Sequence, residues 1–361
     1  MRLSPQQLKK IITKPEEFTN MANLVYISDE DLTISRHKVG RGYYYKDKKG
    51  NKITSIKEKK RIKDLVIPPN WKNVRITHLK NGHLQVIGRD DKDRKVYLYH
   101  EQWTNFKNQT KFYKIAAFGK QLPKIREQID KDLRKKGMPK EKVIALVIRL
   151  MEETHIRIGN HYYAKKNKTY GLSTLRSKHV HISKDILTFN FIGKKGKEHQ
   201  IDITDKKLIE LVQNCEEISG WELFKYYDES GNVEKIDSGM VNEYIQNSCG
   251  DFYSAKDFRT WAATKIFFET LRDIGLEEDK EQQTKNLNLA YAEAANGLGN
   301  TKTVCKEYYV HPIIPEKYLD GSITSYFKKV ENNKNPKTKN LSKTEEVLLD
   351  LMKDFEIDFK K

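Results

Sequence analysis

An α+β fold is predicted, in which a small mainly-β domain over residues 1–102 is followed by a larger mainly helical domain over 103–361 carrying a three-stranded sheet. Three observations predict it. Apolar residues alternate in short runs as far as His100, recur at three- and four-residue steps after Trp103, and alternate again only between Lys178 and Ile203.

In the first domain, Gly42-Tyr43-Tyr44-Tyr45, Val74 to Leu79, His83 to Ile87 and Arg94 to Tyr99 read as strands, with turns at Lys49-Gly50-Asn51 and Asn81-Gly82. Ser55 to Asp64 reads as one short helix, stopped before Pro68-Pro69. In the second domain, helices are expected at Phe106 to Phe118, Leu122 to Arg134 and Glu141 to Ile156, the last ended by Gly159-Asn160. Val143, Val147, Leu150, Met151 and Thr154 line one face of that third helix and place it in a core. His179 to Ile182, Ile186 to Ile192 and His199 to Ile203 form the sheet, with Gly193 to Lys197 as a turn. Lys328 to Asn340 reads as a flexible linker before a helix from Ser342 to Phe355, which opens with the capping box Ser342 and Glu345.

The chain has 361 residues, more than the roughly 250 to 300 at which single cores stop growing, so two units are expected. Its 68 Lys and Arg against 50 Asp and Glu leave a net charge of +18, spread from Lys9 to Lys361. Spread positive charge points to a polyanionic partner, and nucleic acid fits better than membrane because the sequence holds neither a spanning apolar run nor a basic amphipathic anchor. Solubility alone is the competing explanation of the charge. Cys215, Cys249 and Cys305 are too far apart for a disulfide framework or a zinc site, which suits a reducing compartment. The start Met1-Arg2-Leu3-Ser4-Pro5 has no apolar signal region, so a cytoplasmic protein is expected. There is no Walker-type phosphate loop, dinucleotide fingerprint, HExxH pair or Cys-x-x-Cys. Neither cofactor, metal nor nucleotide is therefore expected, and any chemistry must come from side chains.

Several segments together carry a specific resemblance. They are Ile156-Arg157-Ile158-Gly159-Asn160, Thr169 to Arg176, Phe191-Ile192-Gly193-Lys194-Lys195-Gly196-Lys197-Glu198-His199, Asp257-Phe258-Arg259-Thr260-Trp261, and Gly299-Asn300-Thr301 with Tyr309-Val310-His311-Pro312. In that order they resemble type IB DNA topoisomerases, in the small branch of poxviruses, bacteria and giant amoebal viruses. Val39 to Gly42, Ile67-Pro68-Pro69-Asn70-Trp71 and Gly88-Arg89-Asp90 extend the likeness into the first domain. Asn300 and the Ile-Pro-Pro-x-Trp segment are more like the bacterial and amoebal-virus members. The resemblance implies the catalytic fold shared with tyrosine recombinases, a monomer clamping double-stranded DNA, and relaxation of supercoils without ATP through a 3′-phosphotyrosyl intermediate.

Residue by residue, the resemblance makes Tyr309 the nucleophile, nine residues after Asn300, with Tyr308 as rival. A phenol is mostly protonated at neutral pH and needs neighbouring positive charge to attack; taken alone, a Tyr-Tyr pair is ordinary core packing. Arg157 and Arg259 match the arginines that grip the scissile phosphate, a task suited to a planar, permanently charged fork. The plain alternatives are a helix-end arginine for Arg157 and an ion pair with Asp257 for Arg259. Lys194 matches the general acid for the departing 5′-oxygen, against the alternative of a solvated turn. Asn300 stands where poxvirus and cellular relatives carry histidine; its amide can donate a hydrogen bond but moves no proton. Tyr97 and Tyr99 share one face of a strand near Arg94, and the family places DNA contacts there, whereas the alternative buries both tyrosines. Gly159, Tyr163 and Lys256 fall at or beside further contact positions. A tyrosine recombinase and a non-catalytic DNA-packaging protein remain as competing functions; the strand-rich first domain argues against the former, since recombinases usually carry helices there.

Overall fold

The computed structural model describes residues 3–333 and 335–358. The chain divides into two compact units, Met1–Tyr113 with Glu356–Lys361, and Lys114–Phe355. The expected border at 102/103 lies at the start of helix α3 (Glu101–Gly119), whereas the division falls inside that helix. An uninterrupted helix crosses the change of periodicity, and periodicity alone marks where the helix begins.

The first unit begins with α1 (Pro5–Thr13), capped by Ser4 and Gln7, which the sequence reading passed over. Its sheet contains β1 (Ile34–Val39), β2 (Gly42–Lys46), β3 (Lys72–Ile76), β4 (Leu84–Arg89) and β5 (Lys95–Tyr99), all antiparallel in the order β2-β1-β3-β4-β5. Between β2 and β3 runs α2 (Ile56–Asp64), capped by Ser55. Ile34, Val74, Ile76 and Val86 pack with Ile62 of α2 in a small core. Strand β1 was not foreseen, because Ser35, Arg36, His37 and Lys38 give it little apolar signal; pairing with β2 and β3 decides it. At the sheet edge, β5 leaves Lys95, Tyr97 and Tyr99 exposed while Val96 and Leu98 turn inward.

The second unit is mainly helical. It comprises α4 (Leu122–Leu133), α5 (Lys140–Thr154), α6 (His161–Asn167), β6 (Val180–Ser183), β7 (Ile186–Ile192), β8 (Glu198–Ile203) and α7 (Lys206–Glu216). A short hairpin of β9 (Lys225–Tyr227) and β10 (Val233–Lys235) leads to α8 (Ser238–Cys249), α9 (Ala255–Ile274) and α10 (Lys280–Leu298). The unit closes with α11 (Lys302–Tyr308), α12 (Ile313–Leu319), α13 (Thr324–Asn332) and α14 (Lys343–Met352). The three-stranded sheet has the expected order β6-β7-β8. Helix α5 is buried on nearly every side, from Val143 through Ile148 and at Leu150, Met151 and Thr154, as a central core helix must be. Among the described residues, no helix is long and apolar enough to cross a membrane.

Two local expectations need correction. Helix α5 ends at Thr154, with His155 in the left-handed region at φ 55°, and the Gly159-Asn160 pair instead starts α6, where Asn160 accepts a hydrogen bond from the Tyr162 amide. The supposed linker from Lys328 is helical as far as Asn332, because Phe327 and Val330 form a buried face and the lysines lie on the solvated one. Beyond it, the Thr338 amide donates to Glu346 at 2.5 Å and Arg126 donates to the Asn340 carbonyl at 2.7 Å, so this lysine- and asparagine-rich stretch is tied to the helices. Lys334 lies outside the described residues.

Candidate active site

Each candidate side chain in the second unit is presented by a local device. Arg157 follows α5 on an extended segment whose backbone lies against Gly171: the Leu172 amide donates to the Arg157 carbonyl at 2.9 Å and the Ser173 amide to the Ile158 carbonyl at 2.7 Å. A β-carbon on Gly171 would stand 2.3 Å from that Arg157 carbonyl oxygen, so only glycine allows the approach. Arg259 sits in the second turn of α9, where Ser254 and Asp257 form a capping box. Lys194 is exposed in the β7–β8 turn, closed by the Gly193 amide donating to the Lys197 carbonyl at 2.7 Å. Asn300 occupies the joint between α10 and α11, where Gly299 at φ 60° lets the Asn300 amide cap the Ala295 carbonyl at 2.8 Å in a Schellman turn. Tyr309 terminates α11, its amide donating to the Cys305 carbonyl at 3.0 Å.

The fold brings these positions together. Arg157, Lys194 and Arg259 line one cleft of about 380 Å³, together with His155, His199 and Gly299. Arg157 Nη2 donates to Asn300 Oδ1 at 2.5 Å. Because a guanidinium only donates, the amide oxygen must face it, which leaves Asn300 Nδ2 as a buried donor with no hydrogen-bond partner among the described residues. Arg259 is buried; one guanidinium nitrogen donates to the His155 carbonyl, the other to the Leu298 carbonyl at 2.8 Å, and its Nε has no partner among the described residues. The Arg259 guanidinium carbon stands 5.9 Å from the centre of the Tyr309 ring. Tyr309 is half-buried against the main core, whereas Tyr308 is exposed.

The plain alternatives for the two arginines therefore do not hold. Asp257 pairs with Lys114 at 2.7 Å and caps Ser254, while Arg259 is held by carbonyls. Arg157 lies beyond the end of α5 and turns to Asn300. Burial, reinforced by Arg157, lowers the Arg259 pKa, though a guanidinium keeps its charge at neutral pH. Burial also lowers that of Arg157, with Tyr309 acting in the opposite direction. Two cationic forks, one buried and one half-buried, both fixed by neighbouring dipoles, suit an anion with non-bridging oxygens.

The remaining expected residues are dispersed. Tyr97 and Tyr99 are exposed on β5, their rings stacked at 5.9 Å, and Lys95 lies 5.3 Å from the Tyr97 ring centre; the buried alternative is excluded. Arg94 pairs with Asp90 through Nε at 2.7 Å. Gly159, at φ 91°, belongs to the Arg157 segment; Tyr163 is exposed on α6, and Lys256 is exposed in the first turn of α9. Sequence reasoning did not single out His155 or His199 in the cleft. Burial, with Arg259 and Lys265 adding, lowers the His155 pKa to about 4; burial, with Arg157 and other cations adding, lowers that of His199. Among the described residues, no cluster of His, Cys, Asp and Glu is arranged to hold a metal ion.

The family described as eukaryotic DNA topoisomerase I, catalytic core, matches residues 100–336, and the bacterial DNA topoisomerase IB N-terminal domain matches residues 42–90. The chain belongs to the type IB DNA topoisomerases, as its motifs imply. The DNA topoisomerase 1B of Acanthamoeba polyphaga mimivirus is 34% identical over 286 residues, covering 77% of this chain and 84% of the relative. That of vaccinia virus (strain Copenhagen) is 24% identical over 239 residues, 65% of this chain and 72% of the relative. The DNA topoisomerase 1 of Mycosarcoma maydis is 26% identical over 230 residues, 55% of this chain but 22% of the longer relative.

Proposed function

We propose that this protein relaxes supercoiled DNA by cutting one strand through Tyr309 and resealing it without ATP. The observation that carries the reading is that Arg157, Lys194 and Arg259, from three separate segments, line one cleft, while Arg157 also holds Asn300 and Arg259 lies beside the Tyr309 ring. Tyr309 Oη forms the new bond to phosphorus, the bond from phosphorus to the 5′-oxygen breaks, and Lys194 gives that oxygen a proton while the phenol proton passes to solvent. Arg157 and Arg259 donate to the non-bridging oxygens as charge builds on them, each contributing about 3 to 4 kcal/mol by comparison with other oxyanion sites. The free Nδ2 of Asn300 donates a further, uncharged hydrogen bond to the same phosphate.

One phosphoester replaces another of similar energy, so resealing needs no nucleotide and the reverse attack by the 5′-hydroxyl suffices. Tyr97 and Tyr99, with Arg94, Gly159, Tyr163 and Lys256, contact double-stranded DNA, and the protein acts as a monomer. Most of the contacts are to phosphate, so affinity falls log-linearly with salt. A tyrosine recombinase leaves supercoils intact on a plasmid lacking its sites, and a packaging protein forms no covalent adduct. The test is rapid denaturation of protein mixed with labelled DNA. Wild type and Tyr308→Phe are expected to retain label covalently and Tyr309→Phe to lose it; retention by Tyr309→Phe overturns the assignment.

A further inference from the structure

We infer that His199 is a positioning residue for Lys194, a ring wedged between two glycines that holds the β7–β8 turn against the joint carrying Asn300. The inference rests on the function proposed above and deepens it. His199 is the second residue of β8, and its ring stacks on Phe191 of β7 with centres 5.0 Å apart and planes 15° from parallel. One edge of the ring meets Gly193, the residue before Lys194: a β-carbon there would stand 2.6 Å from both Cδ2 and Nε2. The adjoining edge meets Gly299, the residue before Asn300: a β-carbon there would stand 2.5 Å from Cε1. The imidazole therefore fills the gap between the turn that presents Lys194 and the helix end that presents Asn300.

The need for such a wedge follows from the turn itself. Lys194 is an exposed side chain on a five-residue connection, and the turn's own hydrogen bonds, from Gly193 to Lys197 and from Gly196 to Gly193, fix its shape. They do not fix its distance from the cleft. A proton donor must be within hydrogen-bond reach of the oxygen it protonates, and a displacement of about 1 Å can cost on the order of 100-fold in rate. The ring acts here by its shape, since the contacts on both edges are steric. Gly193 has φ −95°, a conformation open to any residue, so glycine is required there by the proximity of His199 and not by the backbone.

The experiment compares single-turnover cleavage of two DNA strands, one with the ordinary 5′-oxygen at the scissile phosphate and one with sulfur in its place. Cleaving the second breaks a phosphorus–sulfur bond and releases a thiolate, which needs no proton because a thiol has a reference pKa near ~8.5. His199→Ala is expected to slow the oxygen strand by roughly 10- to 100-fold and the sulfur strand by less than about 3-fold, the pattern also expected of Lys194→Ala. Equal slowing of both strands, or of neither, overturns the inference; His199→Gln serves for the same comparison if the alanine variant does not fold.

A second arm uses Gly193→Ala, which should slow the oxygen strand by colliding with the ring. Adding His199→Ala removes the collision, so the double variant should match His199→Ala alone within about 2-fold, whereas multiplication of the two losses overturns the wedge. Failure of wild type to form any adduct with either strand refutes the proposed function. An adduct with equal losses on both strands refutes only the role of His199.

Discussion

The cleft of the second unit and the β5 face of the first make opposite use of polar and aromatic side chains. In the cleft, Arg259 is buried and held by two backbone carbonyls, and Arg157 is committed to Asn300. On β5, Tyr97 and Tyr99 stand exposed, their rings stacked on each other, with Lys95 over Tyr97 and the His83 ring 6.1 Å from that of Tyr99. Fixed donors in a site shielded from water act strongly on charge that develops in a transition state, because no reorganisation is needed when the reaction occurs. Exposed aromatic rings contribute area to binding and little to chemistry. The first region should therefore control rate and the second affinity.

The largest separation is expected at the paired tyrosines. Replacing Tyr309 by Phe should lower plasmid relaxation on the order of 10⁴-fold or more, as removal of a nucleophile does elsewhere, while Tyr308→Phe stays within a few-fold of wild type. Next, Arg157→Ala and Arg259→Lys should each slow single-turnover cleavage by about 10²- to 10³-fold. DNA binding should change far less, and if filter binding showed losses as large as the kinetic ones, the arginines would belong to the affinity region.

Acid probes the same buried region through stability. The His155 pKa is depressed in the folded protein, so its contribution is fully present above the unfolded value near ~6.5 and is lost as pH falls towards the folded value of about 4. His155 lies in the left-handed region, which asparagine tolerates, so His155→Asn should remove on the order of 3 kcal/mol of the stability change across that window. Thermal melts of both proteins from neutral pH downward check it; an unchanged slope would mean that His155 is not held neutral by burial and Arg259.

Smaller effects follow from uncharged groups. Asn300→Ala should slow cleavage about 10-fold, less than either arginine, since only one neutral hydrogen bond to the phosphate is lost. Tyr97→Ala and Tyr99→Ala should each weaken DNA binding by about 1 kcal/mol, near fivefold, with the rate at saturating DNA unchanged. A rate loss at saturation would break the division between the two regions.

How legible this was from sequence varied with the range of the interaction involved. The core face of α5, the Ser342 cap and the β6–β7–β8 sheet follow local periodicity and capping chemistry, and all appear. Strand β1 and the helical start of the supposed linker were missed because both are mostly polar: pairing with β2 and β3 decides the first, and the buried Phe327 and Val330 anchor the second. The helix stop at His155 was misplaced because a left-handed non-glycine residue leaves little trace in composition. His155 and His199 were passed over for a related reason: Gly193 and Gly299 flank one ring only after the chain has folded.

The chemical inventory and its family can be read from the residues in order: two arginines, a lysine in a tight turn, an asparagine and a tyrosine pair, in a succession that identifies type IB topoisomerases. Tertiary structure decided which of those groups meet. Tyr308 is the last residue of α11 and Tyr309 follows it, and a turn of about 100° per residue sends the first ring to solvent and the second towards Arg259. Arg157 and Asn300 are distant in the chain yet share a 2.5 Å hydrogen bond, an outcome of closing long loops around the α5 and α9 core that no local pattern encodes.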